Sequence, residues 1–244
     1  MTVIAVTGAS GGHGVSTLTA ALALVWPTPC LLMECDPSGG DIAGWWDLPA
    51  SPGLASAVAA MPDTADGVLV HATRVRSSVA VLAAPVRSAE ASVTVAASLH
   101  RILPLLVSAA AIDVLVDAGR STAQLAGGAQ GASVTVVVAR QVPGAAGATA
   151  SVLERTADLL DGCRSSSMPT VVAAIGQDPF PLGEVARFLG QPVHSVADDP
   201  LGAAVLAGRP VRGRMATRSR LLRSVRSLAE SLHAQVAELS GSAS

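Results

Sequence analysis

Six apolar runs punctuate the chain at intervals that leave room for a helix between most of them: "VIAVT" (3–7), "CLLMECD" (30–36), "VAVLAAP" (79–85), "IDVLVDAG" (112–119), "ASVTVVVAR" (132–140) and "TVVAAIG" (170–176). None alternates apolar with polar. Strands apolar on both sides belong in a sheet covered on both faces, which is the signature of parallel pairing. The intervening segments predict helices over about 15–25, 53–61, 89–109 and 145–161. We see no internal repeat and no linker, so residues 1–244 read as one doubly wound α/β domain, three layers deep. In such sheets ligands sit at the C-terminal ends of the strands. Asp36 and Asp117 each follow or close an apolar strand, and a glycine-rich turn follows the first one, so all three converge on one crevice.

A different period governs the C-terminal end. Leu221, Val225, Leu228, Leu232, Val236 and Leu239 recur every three or four residues, which is one face of a helix over about 217–239. Arg218, Arg220, Arg223 and Arg226 crowd its first half, preceded by Arg209, Arg212 and Arg214. Residues 1–208 carry 9 Arg against 16 acids, whereas 209–244 carry 7 Arg against 2, so a net charge of −2 hides an acidic body and a basic end. Two readings follow: a final helix packed on the sheet with a solvated basic flank, or a binder of anionic surfaces. A membrane surface calls for an exposed apolar face with a bulky aromatic, which this helix lacks. Nonspecific DNA, contacted through its phosphates, is the preferred surface.

Composition sharpens the chemistry by what it omits. The chain has no Tyr, and all 16 of its basic side chains are Arg, with no Lys. Half the residues are apolar, enough for a well-buried core at 244 residues. No uninterrupted apolar run approaches the ~20 residues that span a bilayer, and the N-terminus lacks a signal-peptide pattern. Cys30, Cys35 and Cys163 show no ligand spacing and read as buried thiols. The expected location is the cytoplasm, with association to the nucleoid or inner membrane if the basic end engages either.

The turn "VTGASGGHGVST" (6–17) carries two alternatives. As a dinucleotide fingerprint, Gly8, Gly11, Gly12 and Gly14 would approach a pyrophosphate and Asp36 a ribose hydroxyl. Short-chain dehydrogenases with that signature use a Tyr and a Lys as acid/base pair, and this chain has neither. As a phosphate-binding loop, the N–H groups of Gly11 to Gly14 form a nest, a helix starting near Val15 points its positive end inward, and Ser16 ligates magnesium.

The second alternative is supported at four separate places. The chain resembles the ParA/MinD family of deviant Walker ATPases, whose loop runs KGGxGK[ST]. Ser10 stands at the family's signature Lys, Gly11, Gly12, His13 and Gly14 follow in step, Val15 replaces the loop Lys, and Ser16 and Thr17 match. "LLMECDPSGGDIAGWW" resembles the second motif, with Asp36 at the position that orders the attacking water. "IDVLVDAGR" resembles the Walker B strand, with Asp117 beside the magnesium. "LGQPVHSVADDPLGAAVLAGRPV" resembles the segment that follows the last strand of the sheet.

The resemblance implies ATP and magnesium as ligands, Ser16, Asp36 and Asp117 around the metal, Asp36 and Asp117 in hydrolysis, a homodimer, and a protein cargo to be positioned: chromosome, division site, or pilus and secretion machinery. Degenerate loops are a feature of the family's CpaE/TadZ branch. Both replaced residues are cations. A charge-assisted contact to an anion contributes roughly 1.5–3 kcal/mol, and one lost electrostatic donor can cost ~10²–10³ in rate. Hydrolysis is therefore expected to be weak or lost. One alternative keeps an active ATPase in which Arg120, just after the Walker B turn, stands in for the missing Lys; another keeps a non-catalytic NAD(P)-binding protein. Gln177, after the late strand, is a stand-in for the family's adenine-contacting Asn.

Overall fold

The computed structural model describes residues 1–109, 112–120, 133–209 and 219–241, with side chains to 238. Its elements run β1 (Val3–Gly8), α1 (Val15–Val25), β2 (Cys30–Glu34), α2 (Ile42–Trp45), α3 (Leu54–Ala60), α4 (Ala65–Leu69), β3 (Thr73–Arg76), β4 (Val79–Leu82), α5 (Ser88–Ala109) and β5 (Asp113–Asp117). They continue through β6 (Val134–Arg140), α6 (Ala146–Ser165), β7 (Thr170–Ile175), α7 (Leu182–Leu189), β8 (Val193–Val196), α8 (Pro200–Leu206) and α9 (Arg220–Gly241).

The strands form one eight-stranded sheet in the order β3-β4-β2-β5-β1-β6-β7-β8. Every pairing is parallel except that of the edge strand β3 with β4. Successive side chains leave a strand on opposite faces, and the core divides accordingly. From β1, Ile4 and Val6 join the apolar cluster under α1 and α9, while Val3 and Ala5 join the one under α3, α4 and α5. From β6, Val134, Val136 and Val138 join the first cluster, whereas Val137 and Ala139 meet α6 and α7. This is the three-layer α/β/α architecture expected from the continuous apolar runs.

The topology also decides between the two readings of the glycine turn. In the classic dinucleotide fold β1 lies directly beside β2. Here β5 lies between them. That order does not match the dinucleotide fold, and the dinucleotide alternative loses its scaffold.

Several elements were invisible as apolar runs. β3 reads Thr-Arg-Val-Arg and is half solvated, as an antiparallel edge strand can be. In β8 only Val196 is fully buried, so the sheet's last strand lies inside the "LGQPVHSVADDP" segment and not before it. The short helices α2, α4 and α8 and the longer α7 were also unforeseen. At 22 residues α5 is long and apolar enough to cross a bilayer by length and composition alone, though Glu90, His100 and Arg101 interrupt it. It instead lines the core through Val95, Leu99, Ile102, Leu103 and Leu106. All three cysteines are buried and free, and burial, aided by the nearby Asp113, pushes the Cys30 thiol up to about 12.

The C-terminal helix is packed. Leu221, Val225, Leu228, Leu232 and Val236 are all buried in the cluster beneath α1. Arg220, Arg223 and Arg226 are exposed. Arg212, Arg214, Arg218 and the Leu239 side chain lie outside the described residues. Asp199 ties the helix down: its carboxylate accepts from the N–H groups of Gly202, Arg220 and Leu221 and from the Ser219 hydroxyl, serving the N-termini of both α8 and α9.

Candidate phosphate-binding site

The turn after β1 is shaped by two left-handed glycines, Gly12 at φ +75° and Gly14 at φ +89°. Only glycine adopts these angles freely. They bring the chain into α1 with Gly14 as its first cap and no side chain bonded to the helix's opening N–H groups. The first N–H groups of a helix have no partner within it and face outward with the positive end of its dipole. Ser10 to Thr17 line a cavity of about 260 Å³ together with Asp36, Gly119, Arg120 and Arg140. Expected loop residues are thus gathered around one hollow. Val15 is the exception in character: 7% exposed, it is anchored in the core beneath the loop. A valine suits that place, and it supplies no charge.

On the β5 side the hollow is backed by acids. Parallel register sets Val6 and Glu34 each beside Asp117. Gly8 N–H donates to the Gly119 carbonyl at 3.1 Å and Cys35 N–H to the Asp117 carbonyl at 2.7 Å, so the strand ends are locked together. Asp36 accepts from Ser38 N–H at 2.7 Å. A Cβ at Gly119 (φ +56°) would collide with the Asp36 carboxyl, so glycine is required there twice over.

Asp117 is fully buried, and burial pushes its carboxyl up to about 7; the neighbouring Glu34 and Asp36 push the same way, while the Ser16 hydroxyl and Gly119 N–H pull against them. Its Oδ1 accepts from Gly119 N–H, but Oδ2 has no hydrogen-bond partner of good geometry. A buried carboxylate oxygen left open costs free energy that a cation would recover.

The donors suit magnesium, which is satisfied by one or two carboxylates, a hydroxyl, phosphate oxygens and waters. Ser16 would ligate it, with Asp117 behind and Asp36 at the rim. Among the described residues no group of three or more His, Cys, Asp or Glu could hold a metal ion.

Glu34 has another role. Its carboxylate accepts from Asp41, Ile42 and Ala84 N–H groups at 2.7–3.0 Å and holds the "DPSGGD" turn against β4. Burial raises its pKa, and those three donors oppose the rise.

On the β6 side the hollow is bordered by arginines. Arg140, at the end of β6, pairs with Asp198 at 3.0 Å. Arg155, on α6, donates from Nε to Ser10 Oγ at 3.0 Å. Arg120 comes from the other side, just after β5, and lies along the loop: a Cβ on Gly11 would stand 3.0 Å from its Cδ, and its Nη2 donates to Ser38 Oγ at 3.0 Å. His13 is lowered from its ordinary value, by burial first and then by Arg155 and Arg140, and is neutral at pH 7.

A second cavity, about 350 Å³, opens beside the first and shares Gly14, Thr17 and Arg140 with it. Its walls come from Leu18, Ile175 and the 197–209 segment. Gln177 is not part of either wall; its amide donates to Ser195 Oγ at 3.0 Å. The residues that close the second cavity around a ligand would be Ile175, Pro200 and Leu221 instead. Arg140 and Arg155 went unnoticed in the sequence. Arg140 had a signal, since it ends an apolar strand as Asp117 does. Arg155 had none.

A nest of glycine N–H groups at a helix N-terminus, at the C-terminal edge of a parallel sheet with β5 between β1 and β2, is the phosphate-loop class of α/β fold. The same fold is found in solved ATPases. A ParA family ATPase from Chlorobium tepidum TLS superposes with a TM-score of 0.74 at 17% identity, over 93% of this chain and 98% of that one. The cell division ATPase MinD from Pyrococcus furiosus superposes at 0.75 and 14% identity, over 96% and 99%. The septum site-determining protein MinD from Pyrococcus horikoshii OT3, solved with Mg-ADP, gives 0.73 and 13%, over 95% of each. No protein-family model matches the sequence, and no curated protein sequence is significantly similar to it. The chain has the fold of the ParA and MinD ATPases.

Proposed function

We propose that this chain is a nucleotide-binding positioning protein of the ParA/MinD type whose hydrolysis is weak or lost. The observation that carries the reading is the pair of adjoining cavities meeting at Gly14, Thr17 and Arg140. One is polar, built on a helix N-terminus, and suits a phosphate chain. The other is walled largely by apolar side chains and has room for a nucleoside. Asp117, with its unpartnered oxygen, would help hold a magnesium ion that accompanies the phosphates. Loss of turnover rests on Ser10 and Val15, since neither stabilises charge developing on a phosphoryl group.

The positioned cargo would be bound by a dimer or by one copy. The exposed Arg220, Arg223 and Arg226 offer DNA phosphates a basic strip, while the buried apolar face of α9 removes the surface a membrane would need. The CpaE/TadZ branch, with its degenerate loops, is the reading within the family that suits Ser10 and Val15.

The test is calorimetric titration of ATP, ADP and NADPH, each with magnesium, into purified protein, with phosphate release measured in parallel. Binding of ATP or ADP with release at background supports the proposal. NADPH binding without adenine nucleotide binding would overturn it, and release abolished by Asp36→Ala would show a working ATPase.

A further inference from the structure

Two guanidinium groups at the glycine turn are held by neutral partners. Arg155 is fixed by the Ser10 hydroxyl and Arg120 by the Ser38 hydroxyl, each at 3.0 Å. Among the described residues the ion pairs within 4.0 Å are Arg140–Asp198 and Arg164–Asp161. Neither Arg120 nor Arg155 is in an ion pair among the described residues; one lies over Gly11 and the other is at Ser10. A serine tether orients a guanidinium without neutralising it. Arg155 uses only Nε for that bond, leaving its two terminal NH₂ groups for a planar, two-pronged grip on an anion.

The loop between them offers unpaired N–H groups and no ammonium. The positive field at its mouth comes from these two arginines together with Arg140, which also lines the hollow. Asp117, fully buried with Oδ2 open behind Ser16, independently marks the hollow as built for a charged ligand with its cation.

We propose that Arg155, reaching from α6 to Ser10, acts with Arg120 as a two-sided clamp for a diphosphate group, so that one copy of the chain supplies all the positive charge at the site. The clamp rests on the nucleotide reading above only for the identity of the group attached to the phosphates. Ser10 is then a positioning residue for Arg155, and glycine at position 11 leaves the Arg120 side chain room to lie close along the loop. Affinity for the phosphates does not depend on a second copy.

The experiment titrates magnesium pyrophosphate, and separately Mg-ADP, into the wild type and into Arg155→Ala, Arg155→Lys, Ser10→Ala and Arg101→Ala. Arg101 is exposed on α5 and controls for general loss of charge. Thermal melts establish that each variant is folded.

Arg155→Ala should weaken pyrophosphate about 10-fold or more, with the gap narrowing as salt is raised. Arg155→Lys should recover part of the loss, because charge returns without the two-pronged geometry. Ser10→Ala should cost a few-fold, roughly 2- to 5-fold, and Arg101→Ala nothing. Affinities should be unchanged across a tenfold range of protein concentration.

Wild-type affinity retained in Arg155→Ala, or no pyrophosphate binding by the wild type, overturns the clamp. Pyrophosphate binding that requires Arg155, with no binding of ADP or ATP, leaves the clamp standing and overturns the nucleotide reading.

Discussion

The two flanks of the glycine turn are built to opposite rules. On the β5 side the chemistry is acidic and buried: Glu34 and Asp117 are 1% and 0% exposed, and backbone N–H groups hold both. On the β6 side it is basic and solvated: Arg155 is exposed, and the Arg140–Asp198 pair is 38% and 25% exposed. Buried, bonded carboxylates are part of the fold, so altering them disturbs stability before binding. Exposed arginines with neutral or loose partners contribute little to stability and are free to meet a ligand. The difference teaches which substitutions report on function.

The largest effect should come from Glu34→Ala. Three N–H groups, those of Ile42 and Ala84 buried and that of Asp41 half-buried, would lose their acceptor at once, at about 1–3 kcal/mol for the first and less for each that finds water. A loss of roughly 3 kcal/mol in a urea melt is expected, with Glu34→Gln milder. A variant near wild type would mean that the acid flank is not the scaffold.

Val15→Lys comes next. It places an ammonium against the core beneath the loop, and a loss of about 1–3 kcal/mol is expected without ligand. Mg-ATP should restore much of it if the new group reaches the phosphates. Stability in both states, from thermal melts, reads this directly, and a variant destabilised equally with and without Mg-ATP would show that position 15 does not face the phosphates.

Asp117→Asn tests the open carboxylate through pH. Its folded pKa, about 7, lies above the unfolded value of 3.8, so the native state holds a proton that the unfolded chain gives up. Stability of the wild type is therefore eroded as pH rises between those two values. The variant, which has no proton to lose, should gain relative to wild type from pH 4 to pH 8. A constant difference across that range would contradict the burial argument.

On the basic flank, Arg140→Ala should change stability by less than about 1 kcal/mol while weakening nucleotide about 10-fold, because the side chain borders both cavities. The smallest effect belongs to the last helix. Arg220→Ala with Arg223→Ala should leave stability within about 0.5 kcal/mol, since the buried face of α9 is untouched. Retention of random-sequence DNA by this pair at wild-type strength would leave the basic strip as a solvated flank.

Much of this molecule was legible before folding. The central strands β1, β2, β5, β6 and β7 are continuous apolar runs because they are covered on both faces, and α1, from Val15 to Val25, follows its glycines as the turn chemistry demands. Edge elements were not legible. β3 and β8 each have a solvated side and a short length, so their patterns fall below what periodicity resolves. The acids of the site were found because a carboxylate closing an apolar strand is conspicuous. Arg140 sits in the same position on β6 and was overlooked for its sign of charge. Gln177 was chosen by its place after β7, but a side chain's direction at a strand end depends on what packs beside it, and Ser195 takes its amide.

From the sequence come the central strands, the glycine turn, and the absence of any lysine to serve it. These are local properties: backbone freedom at Gly12 and Gly14, apolar runs, and composition. The tertiary structure alone decided where the compensating charge comes from. Ser10 and Arg155 are 145 positions apart, and they meet because α6 packs beside β6 and carries Arg155 to the mouth of the turn. No period or spacing encodes such a meeting. It follows from how helices lie on a sheet, and that is settled only when the core closes.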